Sequence, residues 1–250
     1  MSIRRFLIPT LCLALAGCPS DDPTDDDDAT DDWATVLAAA SWAGGLTLNQ
    51  AGDTLTFSGD GVPDHDVLPA YALADGSTIA VSSYNLSIEI PTNPVLAAET
   101  TETNLGDIGI AISGGTYFNP YEGDDTSVAL DNNFEVGGVP FLDACSGHPL
   151  PTGSNYHYHG IPYCITDEVD TAGSHSVIIG VLLDGFPVYG PQGEGGTEPA
   201  DLDGCSGHTG PTPEVPAGMY HYHLTDNSPY SIPCYSGEVT AQGGGPPGPM

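Results

Sequence analysis

A duplicated motif constrains the fold of this 250-residue chain more than any other feature. The first copy starts with "LDACSGHPLP" and ends with "NYHYHGIPYC"; the second starts with "LDGCSGHTGP" and ends with "MYHYHLTDNSPYSIPC". Each copy, over residues 142–164 and 202–234, contains Cys-Ser-Gly-His, a turn rich in Pro and Gly, Tyr-His-Tyr-His and a closing Cys. An internal repeat of this kind predicts two pseudo-symmetric lobes that face each other.

The Tyr-His-Tyr-His segments are typical of strands with two different faces. Residues i and i+2 of a strand share a face, so the two histidines project together and the two tyrosines project to the other side. Paired imidazoles can chelate a metal, and an imidazole set without thiolates suits copper or zinc. If the two strands meet, four ring nitrogens converge on one ion. The candidate ligands are His157, His159, His221 and His223, with His148 and His208 from the Cys-Ser-Gly-His turns.

A purely structural role is the alternative for these histidines. In that case the tyrosines lie in the core and the imidazoles hydrogen-bond to backbone or to carboxylates. Asp143 and Asp203, at matched positions of the repeat, are either partners that fix the histidine tautomers or simple turn residues.

The N-terminus predicts an exported lipoprotein. Arg4 and Arg5 precede a short apolar run over residues 6–16, and the segment Leu15-Ala16-Gly17-Cys18 resembles a bacterial lipobox. Cleavage after residue 17 makes Cys18 the lipidated first residue of the mature chain. Pro19 in place of Asp favours the outer membrane, whereas an ordinary secretory signal leaves Cys18 incidental.

Composition separates the chain after the signal peptide into an acidic tether, a β domain and a C-terminal tail. Eight of the residues in "PSDDPTDDDDATDD", 19–32, are Asp, which is typical of a solvated tether; a calcium-binding tail is the alternative. We assign residues 18–40 to the lipidated cysteine and a disordered tether, 41–240 to the β domain, and 241–250, ending "GGGPPGPM", to a disordered tail.

The charge excludes several partners. Asp and Glu number 34 against two basic residues, Arg4 and Arg5, which leave with the signal peptide. The mature chain therefore has no side chain to neutralise a phosphate backbone or to clamp an anionic substrate, and nucleic-acid binding is excluded. Such a surface attracts metal ions, and the membrane is contacted only through the lipid. Adaptation to salty surroundings also explains an acidic surface.

Four cysteines remain once Cys12 leaves with the signal and Cys18 is lipidated. An even number in an oxidising compartment predicts disulfides, and the repeat favours Cys145–Cys164 and Cys205–Cys234 among the three connectivities. Thiolate metal ligands are the competing interpretation, although the chain contains no CxxC pair.

The fold class is mainly β. Alternating apolar and polar residues in "LTLNQAGDTLTFSG", 46–59, predict a hairpin that turns at Gly52-Asp53. The run "HSVIIGVLLDGFPVYG", 175–190, has few polar residues and predicts one central, doubly buried strand. Trp33 to Trp42 predicts either one or two helical turns or the approach to a strand. With little helical periodicity and many Gly and Pro, the chain predicts sandwich-like antiparallel sheets with long loops, braced by disulfides.

These segments resemble the bacterial YHYH domain family over about residues 58–239. "GDGVPDHD" around His65 resembles an N-terminal signature of that family, and the run from His175 to Pro191 is similar to its His-Ser-Pro…Asp-Gly-Phe-Pro-Ile-Tyr-Gly element, with Val177 in place of Pro. The resemblance implies occurrence on secreted proteins and lipoproteins. All eight histidines fall in matched elements, so His65 and His175 become additional candidate ligands, with Asp184 as a candidate or a turn residue.

Three functions remain open from the sequence. The first is a cell-envelope lipoprotein domain that binds copper or zinc through its paired HxH motifs. The second is a metal-dependent or histidine-based enzyme acting on a neutral substrate. The third is a structural or adhesive surface domain without metal.

Overall fold

A computed structural model of the chain describes residues 33–239. The signal peptide, Cys18, most of the acidic tether and the tail lie outside the described residues, so the predictions made for them stay predictions. Among residues 33–239, no helix is both long and apolar enough to cross a membrane.

Strands dominate the described chain, which confirms the mainly β fold class. Two short α-helices and two 3₁₀ segments (Ala129–Asn132 and Glu194–Gly196) complete the structure. The helices are α1 (Trp33–Ala38) and α2 (Tyr163–Val169). The strands are β1 (Thr47–Ala51), β2 (Thr54–Gly59), β3 (Tyr71–Ala72), β4 (Thr78–Ile79), β5 (Leu86–Pro91), β6 (Leu96–Glu102), β7 (Asp107–Ala111), β8 (Thr116–Phe118), β9 (Glu135–Val136), β10 (Val139–Pro140), β11 (Gly147–His148), β12 (His157–Tyr158), β13 (Ile178–Leu182), β14 (Pro187–Tyr189), β15 (Gly207–Gly210), β16 (Met219–His223) and β17 (Cys234–Gly237).

The largest sheet has eight strands in the order β11-β12-β8-β7-β13-β14-β16-β15. The pairs β12·β8 and β14·β16 are parallel, and the other pairs are antiparallel. Both Tyr-His-Tyr-His segments lie in this one sheet. The two copies of the repeat therefore lie at opposite edges of one sheet, and the prediction of lobes that face each other was wrong.

A pseudo-two-fold axis passes through the centre of this sheet. Ile110 of β7 lies opposite Val181 of β13, with Ala111 opposite Gly180 and Gly109 opposite Leu182. Each residue of β7 and β8 has its counterpart 71 positions later in β13 and β14. Even the register shift in the β7–β8 pair recurs at the same place in the β13–β14 pair. The structural repeat is therefore longer than the repeat seen in the sequence.

The segment 175–190 forms two strands rather than the single central strand that its apolar run predicts. A tight turn at Asp184-Gly185 reverses the chain, and Gly185 has a φ of +86°, which favours glycine. Both β13 and β14 are fully buried at the sheet centre, which is why the run lacks polar residues. The hairpin predicted at Gly52-Asp53 is confirmed, with Ala51 paired to Thr54.

Helix α1 begins the folded domain earlier than residue 41. The indole of Trp33 donates a hydrogen bond to the carbonyl of Gly185 at 3.0 Å, and Leu37 is buried in the core. The helical alternative for Trp33 to Trp42 is thus the one observed, and residues 33–40 pack on the domain.

Both favoured disulfides, Cys145–Cys164 and Cys205–Cys234, are present, and each closes a loop around one Tyr-His-Tyr-His strand.

Candidate metal centres

Seven of the eight histidines gather into two clusters. The first cluster contains His148, His157 and His159, and the second contains His175, His208, His221 and His223. In the first cluster, and among His175, His221 and His223 of the second, the ligand nitrogens all lie within 4.8 Å of one another.

The Cys-Ser-Gly-His turn places one histidine of each cluster beside the Tyr-His-Tyr-His strand. Ser146 and Ser206 adopt the left-handed region with φ of 62° and 63°, and each accepts a backbone hydrogen bond from the last histidine of its motif. The turn thus pairs His148 with His157 and His208 with His221 across antiparallel strands. Both copies of the repeat therefore form the same turn and the same antiparallel pair of strands.

The first cluster is sealed by aromatic rings. His148, His157 and His159 are all buried, and the Phe118 ring stacks on His157 with ring centroids 3.6 Å apart. The Nε2 atoms of His148 and His157 are 3.1 Å apart.

The second cluster has one more imidazole than the first. The Nε2 atoms of His208 and His221 are 3.0 Å apart, and the rings of His175 and His223 have centroids 5.1 Å apart. Both His175 and His223 have a buried Nε2 atom without a hydrogen-bond partner. A buried polar atom without a partner is costly, so two such nitrogens beside a third imidazole indicate the position of a ligand.

Backbone acceptors fix the tautomers in both clusters. A carbonyl oxygen accepts only, so an Nδ1 atom that contacts one must carry the hydrogen, and Nε2 then presents its lone pair. The Nδ1 contacts are His157 to the carbonyl of Asn155 (2.8 Å), His159 to Asn119 (3.0 Å), His175 to Ser176 (2.7 Å), His221 to Met219 (2.9 Å) and His223 to Gly190 (2.7 Å). His208 Nδ1 instead meets the Asp201 carboxylate at 2.9 Å. This is the outer-shell arrangement typical of metal-ligating histidines.

Two Nε2 lone pairs about 3 Å apart repel unless a cation lies between them. The observed separations of 3.1 and 3.0 Å are close to the edge of a tetrahedron of nitrogens around zinc, which is about 3.3 Å for bonds of 2.0–2.1 Å. In the first cluster, a hydrogen on His148 Nε2 would also relieve the repulsion, because this neutral imidazole would then donate to His157 Nε2. In the second cluster, His208 Nδ1 carries the hydrogen towards Asp201, so both Nε2 atoms present lone pairs.

Burial keeps five of the clustered imidazoles neutral. Desolvation lowers the pKa of His159 and of His221 to about 4 and that of His223 to about 3. It also lowers the pKa of His148 and of His157 well below the usual range, and the neighbouring imidazoles add to the effect. Neutral imidazole is the form that binds a metal.

The four imidazoles of the two Tyr-His-Tyr-His strands do not meet. Strands β12 and β16 are five strand spacings apart in the sheet, roughly 24 Å. The expectation that His157, His159, His221 and His223 share one ion was therefore wrong. Each pair instead joins a histidine from its own turn, and His175 adds to the second.

Both copies of the repeat lie within the part of the chain that matches a known protein family. The family described as YHYH protein matches residues 87–199 and 193–237. The chain belongs to this family. No curated protein and no solved structure matches it.

The tyrosines of the two Tyr-His-Tyr-His strands form hydrogen bonds on the opposite face of the strands. Asp143 accepts from Tyr156 and Asp203 accepts from Tyr220, and both carboxylates also cap their own turns. Neither aspartate has a hydrogen bond to a histidine, so of the two roles left open the turn residue is the one observed. Backbone carbonyls fix the tautomers instead, because the strands bring them next to Nδ1.

Two further candidates lie outside the clusters. Asp184 is fully buried and accepts from the Tyr222 hydroxyl and the backbone of Phe186 and Gly237, on the tyrosine side. His65 contacts the Tyr158 hydroxyl at 2.6 Å and lies 3.7 Å from the sulfur of Cys145. That sulfur is in a disulfide, so no thiolate is available there to bind a metal.

Sequence reasoning missed the residues that complete both clusters, above all the carbonyls of Asn119 and Gly190. These two residues are 71 positions apart, as are Phe118, which stacks on His157, and Tyr189, which packs against His221. Alignment of "GIAISGGTYFNP" with "GVLLDGFPVYGP" was the available signal, because three Gly or Pro positions coincide.

Proposed function

We propose that this chain is a cell-envelope domain that binds a transition metal, copper or zinc, at each of its two histidine clusters. The buried, unpartnered Nε2 atoms of His175 and His223 are the observation that supports it best. Neutral imidazoles whose Nδ1 atoms are held by backbone carbonyls support it further, as does the lack of thiolates, since both remaining cysteine pairs are disulfides.

The clusters differ in their ligand supply. Each cluster offers three imidazoles whose ligand nitrogens lie within 4.8 Å of one another, and the second has a further imidazole, His208, whose Nε2 atom lies 3.0 Å from that of His221. Three protein ligands leave a fourth position for water or another molecule. We therefore propose that His208 completes the ligand set of the second cluster, which then holds its ion more strongly, and that a coordination position stays open in the first cluster.

The experiment is metal titration of chelator-treated protein, with bound metal counted by mass spectrometry. We expect about two equivalents of zinc or copper in the wild type, as the two clusters imply. His157→Asn should remove the ion from the first cluster only, and His223→Asn the ion from the second only, leaving about one equivalent each. The matched control is His65→Asn, which removes a histidine outside both clusters and should retain both ions.

Metal uptake below about a tenth of an equivalent would contradict the proposal, as would variants that lose stability but keep the wild-type metal content. The second result would favour the structural alternative.

Export and lipidation belong to the same proposal and rest on the sequence alone. The N-terminal basic pair, the apolar run and Leu15-Ala16-Gly17-Cys18 support an outer-membrane lipoprotein. In bacterial cells, the full chain should fractionate with membranes and Cys18→Ala should release it. Equal release of both proteins by mild washing would contradict the anchor.

A further inference from the structure

A cavity of about 380 Å³ lies beside the first cluster. His148 forms part of its wall, and Phe134 and Phe141 provide an aromatic surface, with their rings stacked at a centroid distance of 4.8 Å. The wall is mostly apolar. The volume of the cavity is in the range that holds a small organic molecule.

One carboxyl group, that of Glu122, is left incomplete in this wall. Its Oε1 atom is buried behind the cavity surface and has no hydrogen-bond partner, so a donor in the cavity reaches it once the side chain turns towards the cavity. Burial, with the nearby charge of Asp124 second, raises the pKa of Glu122 to about 7. A buried acceptor of this kind favours a ligand that brings a donor, and most strongly a cationic one.

The charged residues around the cavity also favour a cationic ligand. Asp75 and Asp124 also line it, and both are held ionised by hydrogen bonds from neighbouring serines, which lower their pKa values. Residues 33–239 contain no Lys or Arg to balance them. Aromatic faces, such as those of Phe134 and Phe141, also attract cations.

We propose that this cavity is a binding site for a small organic amine with an apolar body. The ammonium donates to Glu122 Oε1, and the body packs on Phe134 and Phe141. A primary or secondary amine fits better than a quaternary one, because the unpartnered oxygen needs an N–H donor. The site goes beyond metal binding and does not depend on it, although its occupant lies against His148.

Three probes with the same body test the choice of head group: 2-phenylethylamine, 2-phenylethanol and 3-phenylpropionate. Binding to the folded domain is measured by calorimetry at neutral pH. We expect the amine to bind at least about tenfold more tightly than the alcohol, since charge-assisted hydrogen bonds are roughly twice as strong as neutral ones. The carboxylate should not bind detectably.

Glu122→Gln should weaken amine binding by about tenfold or more and leave alcohol binding nearly unchanged. The matched control, Glu135→Gln, removes the same charge from an exposed residue next to Phe134 and should keep amine binding within about twofold. Circular dichroism of each variant checks the fold. If Glu122→Gln does not fold, Phe141→Leu gives the second measurement and should weaken all apolar probes.

Equal affinity for amine and alcohol would overturn the proposal, as would no amine binding or undiminished binding by Glu122→Gln. The titrations are repeated after chelation of metal. Amine binding that disappears with the metal would also overturn it, because the amine would then be a metal ligand. Retained amine binding in a domain that takes up no metal would support this site while refuting the metal proposal.

Discussion

Acid should destabilise the metal-free domain through its buried imidazoles, and His159 provides the clearest case. Its ring is fully enclosed, and burial lowers its pKa to about 4, against about 6.5 in the unfolded chain. The folded state therefore resists protonation that the unfolded state accepts. The stability that depends on neutral His159 is fully present above pH 6.5 and is lost as the pH falls towards 4.

The pKa values set the magnitude. The difference between about 6.5 and about 4 corresponds to roughly 3.4 kcal/mol at 1.36 kcal/mol per pKa unit, of which about 2 kcal/mol is lost by pH 5. His159→Asn removes this titration, and its amide can still donate to the carbonyl of Asn119 that now accepts from Nδ1. The acidic residues titrate in both proteins and cancel in the comparison.

The assay is urea unfolding of chelator-treated wild type and His159→Asn at pH 7.5 and pH 5. The wild type should be the more stable protein at pH 7.5, and its advantage should shrink by about 2 kcal/mol at pH 5. An advantage that stays constant between the two pH values would refute the reasoning. It would mean that His159 is already charged in the fold, for example through a proton shared within the first cluster.

Three further substitutions test the framework around the clusters. Tyr222→Phe removes the hydrogen-bond donor to buried Asp184 and should lower the free energy of unfolding in urea by about 1–3 kcal/mol without changing the metal content. Loss of metal would contradict the separation of the tyrosine face of the strand from its histidine face. Replacing both Cys145 and Cys164 by Ser should cost about 3 kcal/mol, because their disulfide closes a loop with a sequence separation of 19; unchanged stability in the same assay would contradict that estimate. Gly180→Ala should lower the melting temperature strongly, because a Cβ there would lie 2.5 Å from the carbonyl oxygen of Ile110. The control, Gly204→Ala, should be tolerated, because a Cβ at that position has nothing within 4 Å. Equal melting temperatures of the two variants would contradict the tight packing at the sheet centre.

The sequence predicted the local geometry of each repeat. The period of two in Tyr-His-Tyr-His separates imidazoles from tyrosines, as observed, because side chains alternate along any strand. The matched cysteines led to both disulfides, since each pair closes its own copy of the repeat. The shared Cys-Ser-Gly-His turn brings a third histidine to each strand, and its position two residues after serine is what places it there.

The way in which the two repeats are arranged in one sheet could not be predicted from the sequence pattern. It depends on the pairing of β7 with β13, and strands that are buried on both faces carry no alternation to reveal their neighbours. The carbonyls of Asn119 and Gly190 were hidden for another reason: every residue has a carbonyl, so side-chain identity cannot single out these two. His175 joins the second cluster from outside the repeated motif, and its resemblance to the family marked it only as a candidate.

Anomalous X-ray diffraction from crystals of the zinc-loaded domain tests the central claim most directly. We expect two anomalous peaks at the zinc edge, one among His148, His157 and His159 and one among His175, His221 and His223. The peaks should lie roughly 24 Å apart across the sheet, five strand spacings from β12 to β16. A single peak shared by both Tyr-His-Tyr-His strands, or zinc bound only at surface carboxylates, would contradict it.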